Sequence, residues 1–345
     1  MTGDPTRRRF LAAGATVGVG GLAGCADWLL ASGSRSPPLV EDRPDAVYVP
    51  THVEGMQPVG STDAGPYRVT LAYSFPHRFW LVTGDRTERV TVEESDTVHL
   101  MAVVRDRETG TVVPNDGVRI EVLRDGETVA ARTMWPMLSQ NMGVHAGDNV
   151  SFPGEGAYTV RVTVGPAGIR TTGAFDGRFE EGVTADIPFE FSRADLEGLS
   201  FERLPDRQGE RGAVEPMAMA RRARLPPAGE FPGTVGTAES GDARLVVAAT
   251  DPPAGVDGER YLAVSARTPY NRYPLPLMAL FGRLGDAFEG ALAPALDPEL
   301  GYHYGAAVDR AAGELRLVVD APPQIARHEG YETAFVGMPA VTVSV

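Results

Sequence analysis

The chain has no lysine and a strong excess of acid. Among its 345 residues, all 32 basic side chains are arginine, and 46 aspartates and glutamates give a formal net charge of −14. Such a chain repels nucleic acid, and no basic stretch interleaved with aromatic residues offsets that charge. We therefore expect no nucleic-acid partner, and the composition is typical of halophilic proteins, whose surface carboxylates keep the fold hydrated.

Cysteine is nearly absent as well. Cys25 is the single cysteine, so an intrachain disulfide is excluded. A type 1 copper site is also excluded, because such a site requires a cysteine thiolate among its ligands.

The chain has no apolar run of the roughly 20 residues that a membrane-spanning helix needs. Thr6–Leu11 instead fits the twin-arginine (Tat) export pattern, and a short apolar stretch follows it. Leu22–Cys25 matches a lipobox. We expect residues 1–24 to be a twin-arginine lipoprotein signal, Cys25 to be lipidated, and residues 25–46 to form a flexible tether. The protein would then be exported, extracytoplasmic and anchored to the cell membrane by lipid.

Long helices are not expected, because 40 glycines and 28 prolines interrupt the chain. Short stretches of alternating polarity predict an all-β fold of two tandem immunoglobulin-like antiparallel β-sandwiches, residues 47–192 and a smaller one at 231–345. Residues 193–230 are predicted to be a linker with a short helix at Arg193–Leu199. The predicted strands are Tyr67–Tyr73, Thr97–Val104, Val118–Leu123, Thr128–Met134, Ala157–Val164, Asp186–Phe191, Arg244–Ala249, Tyr261–Ala266, Leu275–Phe281, Glu314–Val319 and Ala340–Val345.

An internal repeat links the two predicted sandwiches. Trp135–Val150 and Pro294–Val308 share Pro, Leu, Gly, His, Gly and Val at positions that are 158 residues apart. Leu100–Ala102 recurs as Leu277–Ala279, which extends the proposed duplication. The hairpin around Gly126 has no counterpart, and a helical turn at Asp286–Ala291 is predicted in its place.

The first copy of the repeat has the donors of a metal site. Met137 supplies a thioether and His145 an imidazole, a pair that selects soft or late first-row metals, copper above all. Gly143 and Gly147 flank the imidazole, so we interpret the segment as a tight, exposed loop. The alternative is an ordinary turn whose histidine bonds the backbone.

These residues resemble the periplasmic ferrous-iron-transport protein family. Its members have a Pro-Met segment, a G-x-H-Y-G-x-N loop and a G-x-Y-x-V strand, which match Met137, Gly143–Val150 and Gly156–Val160. The resemblance covers roughly residues 67–191. It implies an immunoglobulin-like fold that binds copper or iron through Met, His and Glu, often as a dimer beside a membrane iron permease.

The resemblance implies Met137 and His145 as ligands and places His77 near a further family histidine. His52 and Glu54, which face one way on an extended strand, are candidates to complete the site, although an ordinary polar edge segment explains them equally well. His99, inside an apolar strand, is interpreted as a structural histidine.

The second copy has Ala295 in place of Met137 and Tyr270 in place of His77, but it has a late histidine, His328, that the first copy lacks. A possible second site at His303 and His328 is therefore one prediction. A pseudo-dimer, in which the second domain replaces a second subunit, is the alternative.

No nucleophile elbow, phosphate loop or His-Glu-x-x-His helix is present, and we do not expect an enzyme. The favoured function is capture of ferrous iron or copper for a membrane transporter. The alternative is a surface adhesion or scaffolding lipoprotein that binds no metal.

Overall fold

The computed structural model describes residues 37–345. The predicted export signal, Cys25 and most of the predicted tether lie outside the described residues. Among the helices of residues 37–345, none is long and apolar enough to cross a membrane.

The first unit is a β-sandwich of two antiparallel sheets, as its alternating sequence predicts. One sheet has the strand order β2-β3-β6-β10-β9, and the other has the order β13-β11-β7-β8. The strands of this unit are β1 (His52–Glu54), β2 (Gln57–Ala64), β3 (Tyr67–Ser74), β4 (Phe79–Thr83), β5 (Arg86–Val90), β6 (Val98–Asp106), β7 (Val118–Arg124), β8 (Glu127–Thr133), β9 (Trp135–Ser139), β10 (Gly143–Val150), β11 (Gly156–Val164), β12 (Arg170–Thr171) and β13 (Val183–Phe191).

The core of this sandwich follows from the two-residue repeat of an extended chain. Every second residue of β11 from Tyr158 to Val164 is buried, and so is every second residue of β13 from Ala185 to Phe191. Side chains on one face of a sheet pack between the two layers, while the intervening residues face solvent.

The second unit repeats this architecture with fewer strands. Its strands follow one continuous hydrogen-bonded order, β15-β16-β17-β20-β19-β18-β21-β23, and the two end strands β15 and β23 are in contact. Both units are sandwiches, so the predicted all-β class is confirmed. The strands are β15 (Thr234–Ser240), β16 (Ala243–Thr250), β17 (Arg260–Arg267), β18 (Ala279–Leu284), β19 (Phe288–Asp297), β20 (Gly301–Val308), β21 (Glu314–Ala321), β22 (Ala326–Arg327) and β23 (Val341–Ser344).

Two sequence-based assignments in this unit are wrong. The helical turn predicted at Asp286–Ala291 is a β-hairpin in which Phe288 pairs with Leu284 around Gly285, whose φ is 50°. The strand predicted at Leu275–Phe281 begins only at Ala279, because Leu277 has a φ of 58°, which interrupts an extended backbone.

The predicted extension of the repeat beyond the two hairpins is also wrong. His99 pairs with Asn149, and Tyr261 pairs with Ala307, which lies 158 residues after Asn149. Tyr261 is therefore the counterpart of His99, and β17 is the counterpart of β6. Leu100–Ala102 and Leu277–Ala279 are therefore not equivalent positions of the repeat. Three matching apolar residues carry too little information to align two strands.

The two units exchange one short strand each. β12 of the first unit lies parallel to β19, with Arg170 opposite Ala295, and β22 of the second unit lies parallel to β9, with Ala326 opposite Met137. Since Ala295 is the repeat counterpart of Met137, the two crossings are equivalent. Each unit thus completes the edge of the other.

The predicted linker, residues 193–230, is structured and packs against both units. It contains α1 (Arg193–Glu197), β14 (Phe201–Arg203) paired with β1, and 3-10 helices at Ala218–Ala223 and Ala228–Glu230. A third 3-10 helix, Gly173–Phe175, lies in the first unit. The predicted helix in this region is present, but the segment does not separate the units as a free linker would.

The β9–β10 turn offers a test of how the units pack. Gly143 has a φ of 71°, and a Cβ there would lie 2.8 Å from Tyr273 of the second unit. Gly143→Ala should lower the free energy of unfolding by about 3 kcal/mol, from left-handed strain and overpacking together. Gly126→Ala, at a φ of 85° with open space, should lose only about 1 kcal/mol in the same urea titration. Equal losses in the two variants would contradict this packing.

Candidate metal centre

Met137 and His145 are directly opposite each other on adjacent strands. The register of β9 with β10 pairs them, so their side chains leave the same face of the sheet. The segment is a β-hairpin and not the exposed irregular loop predicted for it, and His145 is 4% exposed and Met137 fully buried. Strand pairing, and not loop flexibility, brings the thioether and the imidazole together.

Gly147 supplies the space in which these donors meet. It lies two residues beyond His145 on the same face of β10. A Cβ built on Gly147 would lie 2.9 Å from both Met137 Sδ and His99 Nε2, and 3.5 Å from His145 Cδ2. The missing side chain therefore leaves a small space bordered by one sulfur and two imidazoles.

His77 and His99 border the same space. His77 follows the end of β3, and its ring centroid lies 4.1 Å from that of His99 on β6. His99 is buried, as predicted for a core histidine, but its Nε2 faces the other donors. The interpretation of His99 as purely structural missed this convergence, because its position in an apolar strand matches that of a packing residue.

The second unit contributes a further imidazole. The backbone N–H of His328 donates to the carbonyl of Leu138 at 3.1 Å, which continues the pairing of β22 with β9. His328 Nδ1 lies 3.1 Å from His77 Nε2. One ligand nitrogen from each of His77, His99 and His328 can be chosen such that all three lie within 4.8 Å of one another.

Hydrogen bonds fix which ring nitrogens carry protons. His145 Nδ1 lies 3.0 Å from the carbonyl of Gly143, which can only accept, so this nitrogen donates. Asn149 donates through Nδ2 to the carbonyl of His77, and its Oδ1 therefore accepts from His99 Nδ1 at 2.9 Å. In each ring the lone pair is left on Nε2. The two imidazoles are thus held in the tautomer that a metal requires.

Glu54 contacts the Nδ1 side of the His77 ring, whereas the Nε2 side faces the other histidines. Its carboxylate oxygens are 3.2 Å from His77 Nδ1 and 3.1 Å from His52 Nε2. Burial would raise the pKa of Glu54, but the hydrogen bonds and charges of His52 and His77 outweigh it and lower the pKa to about 2. The structure therefore places His52 and Glu54 beside the centre, where they orient His77 and leave its Nε2 facing inward.

The centre contains polar atoms with no partner. In the part of the chain that the structure describes, Nε2 of His99, His145 and His328 is buried and makes no hydrogen bond. Buried polar atoms are almost always satisfied, and an unpaired one costs roughly 1–3 kcal/mol. The ring of His328 has its centroid 5.4 Å from that of His99 and 5.3 Å from that of His145. With the thioether of Met137, these rings supply the donor types that suit a bound cation.

A cavity of about 80 Å³ leads to the centre from the surface. Its wall includes His77, His328 and the Glu54 carboxylate, and two further thioethers face it. The residues lining the cavity are Pro50, His52, Glu54, Met56, Ser74, His77, Arg78, Met101, Ser139, Gln140, Asn141, Val214, His328 and Glu329.

The equivalent place in the second unit has lost this donor set. His303 donates from Nδ1 to Gly301, as His145 does to Gly143, but its Nε2 bonds the hydroxyl of Tyr261 at 2.9 Å. Ala295 replaces the thioether. Because the lone pair of His303 is occupied by the tyrosine, the second unit has no comparable free donor.

The predicted second site at His303 and His328 is therefore wrong. β22 pairs with β9 and so brings His328 to the first unit. At the equivalent position β12 pairs with β19 and brings Thr172 to the second unit, where its hydroxyl donates to Asp297 at 2.9 Å. The pairing of Tyr270 with His77 also fails, since His77 follows β3 and Tyr270 follows β17, and these strands are not counterparts.

Comparisons with known proteins identify relatives of parts of the chain. A domain of unknown function, DUF7350, matches residues 229–344. No curated protein matches the chain. Among solved structures, FetP of uropathogenic Escherichia coli strain F11 is 19% identical over 39% of this chain and 95% of its own, with a TM-score of 0.30. A copper-bound variant of the same FetP is 19% identical over 40% of this chain and 92% of its own, with a TM-score of 0.31.

The buried imidazoles predict a specific response to acid. Burial penalises the charged ring, so the pKa of His145 falls to about 4 and those of His99 and His328 lie well below their ordinary value. The unfolded chain takes up protons near pH 6.5 while the fold does not, and stability is therefore lost as pH falls below that value. Between pH 6.5 and 5, the metal-free protein should lose at least about 2 kcal/mol.

Urea unfolding at several pH values measures this loss. The chosen window lies above the titration of ordinary carboxylates. Burial raises the pKa of Asp148 to about 6, so its protonation within the window offsets part of the loss from the histidines. A His145→Gln variant should give a shallower profile because one titrating group is removed. A profile that stays flat down to pH 5 would contradict the neutral, buried state of these rings.

Proposed function

We propose that the protein is an extracytoplasmic, lipid-anchored metal-binding protein that captures copper or ferrous iron and passes it to a membrane transporter. The observation that carries the proposal is the cluster of His77, His99 and His328, whose ligand nitrogens lie within 4.8 Å of one another. Met137 Sδ and the His145 ring border the same space at Gly147, and Nε2 of His99, His145 and His328 is buried without a partner. Together these side chains supply four imidazoles and one thioether. No catalytic step is part of the proposal.

The donor chemistry favours copper over iron. Thioether and imidazole ligands suit copper, whereas ferrous sites of proteins commonly add a carboxylate. The nearby Glu54 has both oxygens engaged by His52 and His77, so it acts through His77 and is not itself free. We infer that copper is held more tightly than ferrous iron in the arrangement described.

Delivery to a transporter rests on the sequence. The twin-arginine pattern and the lipobox at Cys25 predict a protein held at the outer side of the cell membrane. The resemblance to the ferrous-iron-transport family supports a membrane iron permease as the recipient. The side cavity, with Met56 and Met101 on its wall, offers soft donors between the centre and the surface.

The second unit has a supporting role in this proposal. It contributes His328 across the strand exchange, and Tyr273 packs on the β9–β10 turn at Gly143. We infer that it replaces the second subunit of a dimer. The rival, an adhesion lipoprotein, gives no reason for three buried imidazole nitrogens to be left without partners.

Histidine variants test the site directly. Cu(II) titrated into the soluble chain without its signal should bind at one equivalent. His145→Ala or His328→Ala should weaken binding by more than the 10–100-fold typical of changes to residues that only hydrogen-bond a metal ligand. His303→Ala is the matched control, because it removes the equivalent histidine of the second unit and should leave the isotherm unchanged. Parallel anaerobic titrations with Fe(II) rank the two metals.

Unchanged Cu(II) and Fe(II) isotherms in both His145→Ala and His328→Ala would remove the proposal. A loss in His145→Ala alone would retain a site in the first unit but reject the contribution of the second. Circular dichroism of each variant checks that the fold is intact.

The role of Glu54 is tested by Glu54→Gln, which keeps the shape and removes the charge. Because the carboxylate accepts from His77 Nδ1, its loss should lower the basicity of the ring and weaken Cu(II) binding by about 10–100-fold. Glu239→Gln changes an exposed carboxylate paired with Arg244 and should have no effect. If Glu54→Gln abolished binding as completely as His145→Ala, Glu54 would be a direct ligand.

A further inference from the structure

A second cleft lies where residues 193–230, called here the connecting segment, cross between the two units. It has a volume of about 140 Å³, and none of the donors of the metal centre lines it. Thr111 of the first unit and Tyr302 of the second both line it. Arg222 and Arg224 extend from the connecting segment between them.

Arginines are concentrated around this cleft. Three of them hold the connecting segment by donating to its backbone carbonyls, from Arg105 to Met219, from Arg267 to Pro226 and from Arg272 to Leu225. The five arginines at or next to the cleft are Arg105, Arg222, Arg224, Arg267 and Arg272. A positive region of this kind is unexpected in a chain with a net charge of −14.

These cations lack carboxylate partners. Among residues 37–345, none of the five takes part in an ion pair, although exposed arginines elsewhere, such as Arg68 and Arg161, do. Glu299 is the one carboxylate of the cleft lining. The shortage is therefore local, since the chain as a whole has more acidic than basic side chains.

Several of the donors are unused. Arg222 is exposed and donates no hydrogen bond within the described part of the chain, and it lies against the turn at Gly110. The Nε atoms of Arg105 and Arg267 are buried without a partner. Burial, and then the charge of a neighbouring arginine, lowers the pKa of Arg105 beside Arg222 and of Arg272 beside Arg224. The charge of Glu230 acts in the opposite direction on Arg272, but the arginine pairs remain close enough to repel each other.

We propose that this cleft binds a small oxyanion, one that carries phosphate or carboxylate groups, through Arg222 and Arg224. The planar guanidinium offers paired N–H donors that match the oxygens of such groups. The Thr111 hydroxyl adds a further donor on the first unit. A water molecule occupies about 30 Å³ in the liquid, so the cleft has room for a small oxyanion. A bound anion would connect both units and the segment between them.

Calorimetric titration of the soluble chain at constant ionic strength tests the proposal. Inorganic phosphate and succinate serve as the two probes, with chloride balancing the salt. Phosphate or succinate should bind at one equivalent. The probe that binds more tightly shows whether the cleft recognises a phosphate or a carboxylate group. Arg222→Gln and Arg224→Gln should each weaken that binding by about tenfold or more, because each removes a charge-assisted contact. Arg283→Gln, an exposed arginine near Glu289, is the matched control.

The proposal is overturned if neither probe binds above the chloride background, or if Arg222→Gln and Arg224→Gln bind as the unchanged chain does. Arg222 is exposed and makes no hydrogen bond among residues 37–345, so its variant should remain folded and give a clear answer. Cu(II) binding measured on the same variants should be unchanged. The outcome is therefore independent of the metal-binding proposal.

Discussion

The metal centre depends on the pairing of β22 with β9. Arg327 of β22 is fully buried beside Leu138, and its guanidinium donates to the carbonyls of Ala334 and Pro323 and lies 5.6 Å from the ring centroid of Phe335. A buried cation held by so many groups fixes the strand in one position. His328, the next residue, therefore reaches the first unit in a defined place. The centre exists only where both units are docked.

The sequence predicts the parts of this arrangement that depend on short-range periodicity. Strands alternate buried and exposed residues, as the sequence pattern predicts. The glycines around His145 indicate an exposed loop, whereas the structure pairs Met137 with His145 in a hairpin closed by a short turn. The motif that resembles the ferrous-iron-transport family includes the same two residues. These contacts join positions that are near in sequence, so the pattern contains the information needed to find them.

The remaining donors could not be found in this way. His99 is followed in its strand by a run of apolar side chains, Leu100–Val104, and nothing in that pattern distinguishes a ligand from a packed histidine. His328 is separated from Met137 by most of the second unit and arrives through strand exchange, which repeat matching does not predict. The one signal in the sequence was the scarcity of histidine, with six in the whole chain. The structure gathers five of them, His52, His77, His99, His145 and His328, at one place.

Fusion of the two units explains why their sites differ. In a symmetric dimer of identical chains, any substitution enters both sites at once. Here the backbone bond from Thr172 to Leu296, at 3.0 Å, repeats the bond from His328 to Leu138, so the crossing itself is preserved in both halves. At this crossing the side chains have diverged, and Tyr261 now occupies the lone pair of His303. A single chain can therefore keep the architecture of a pair while concentrating its free donors in one unit.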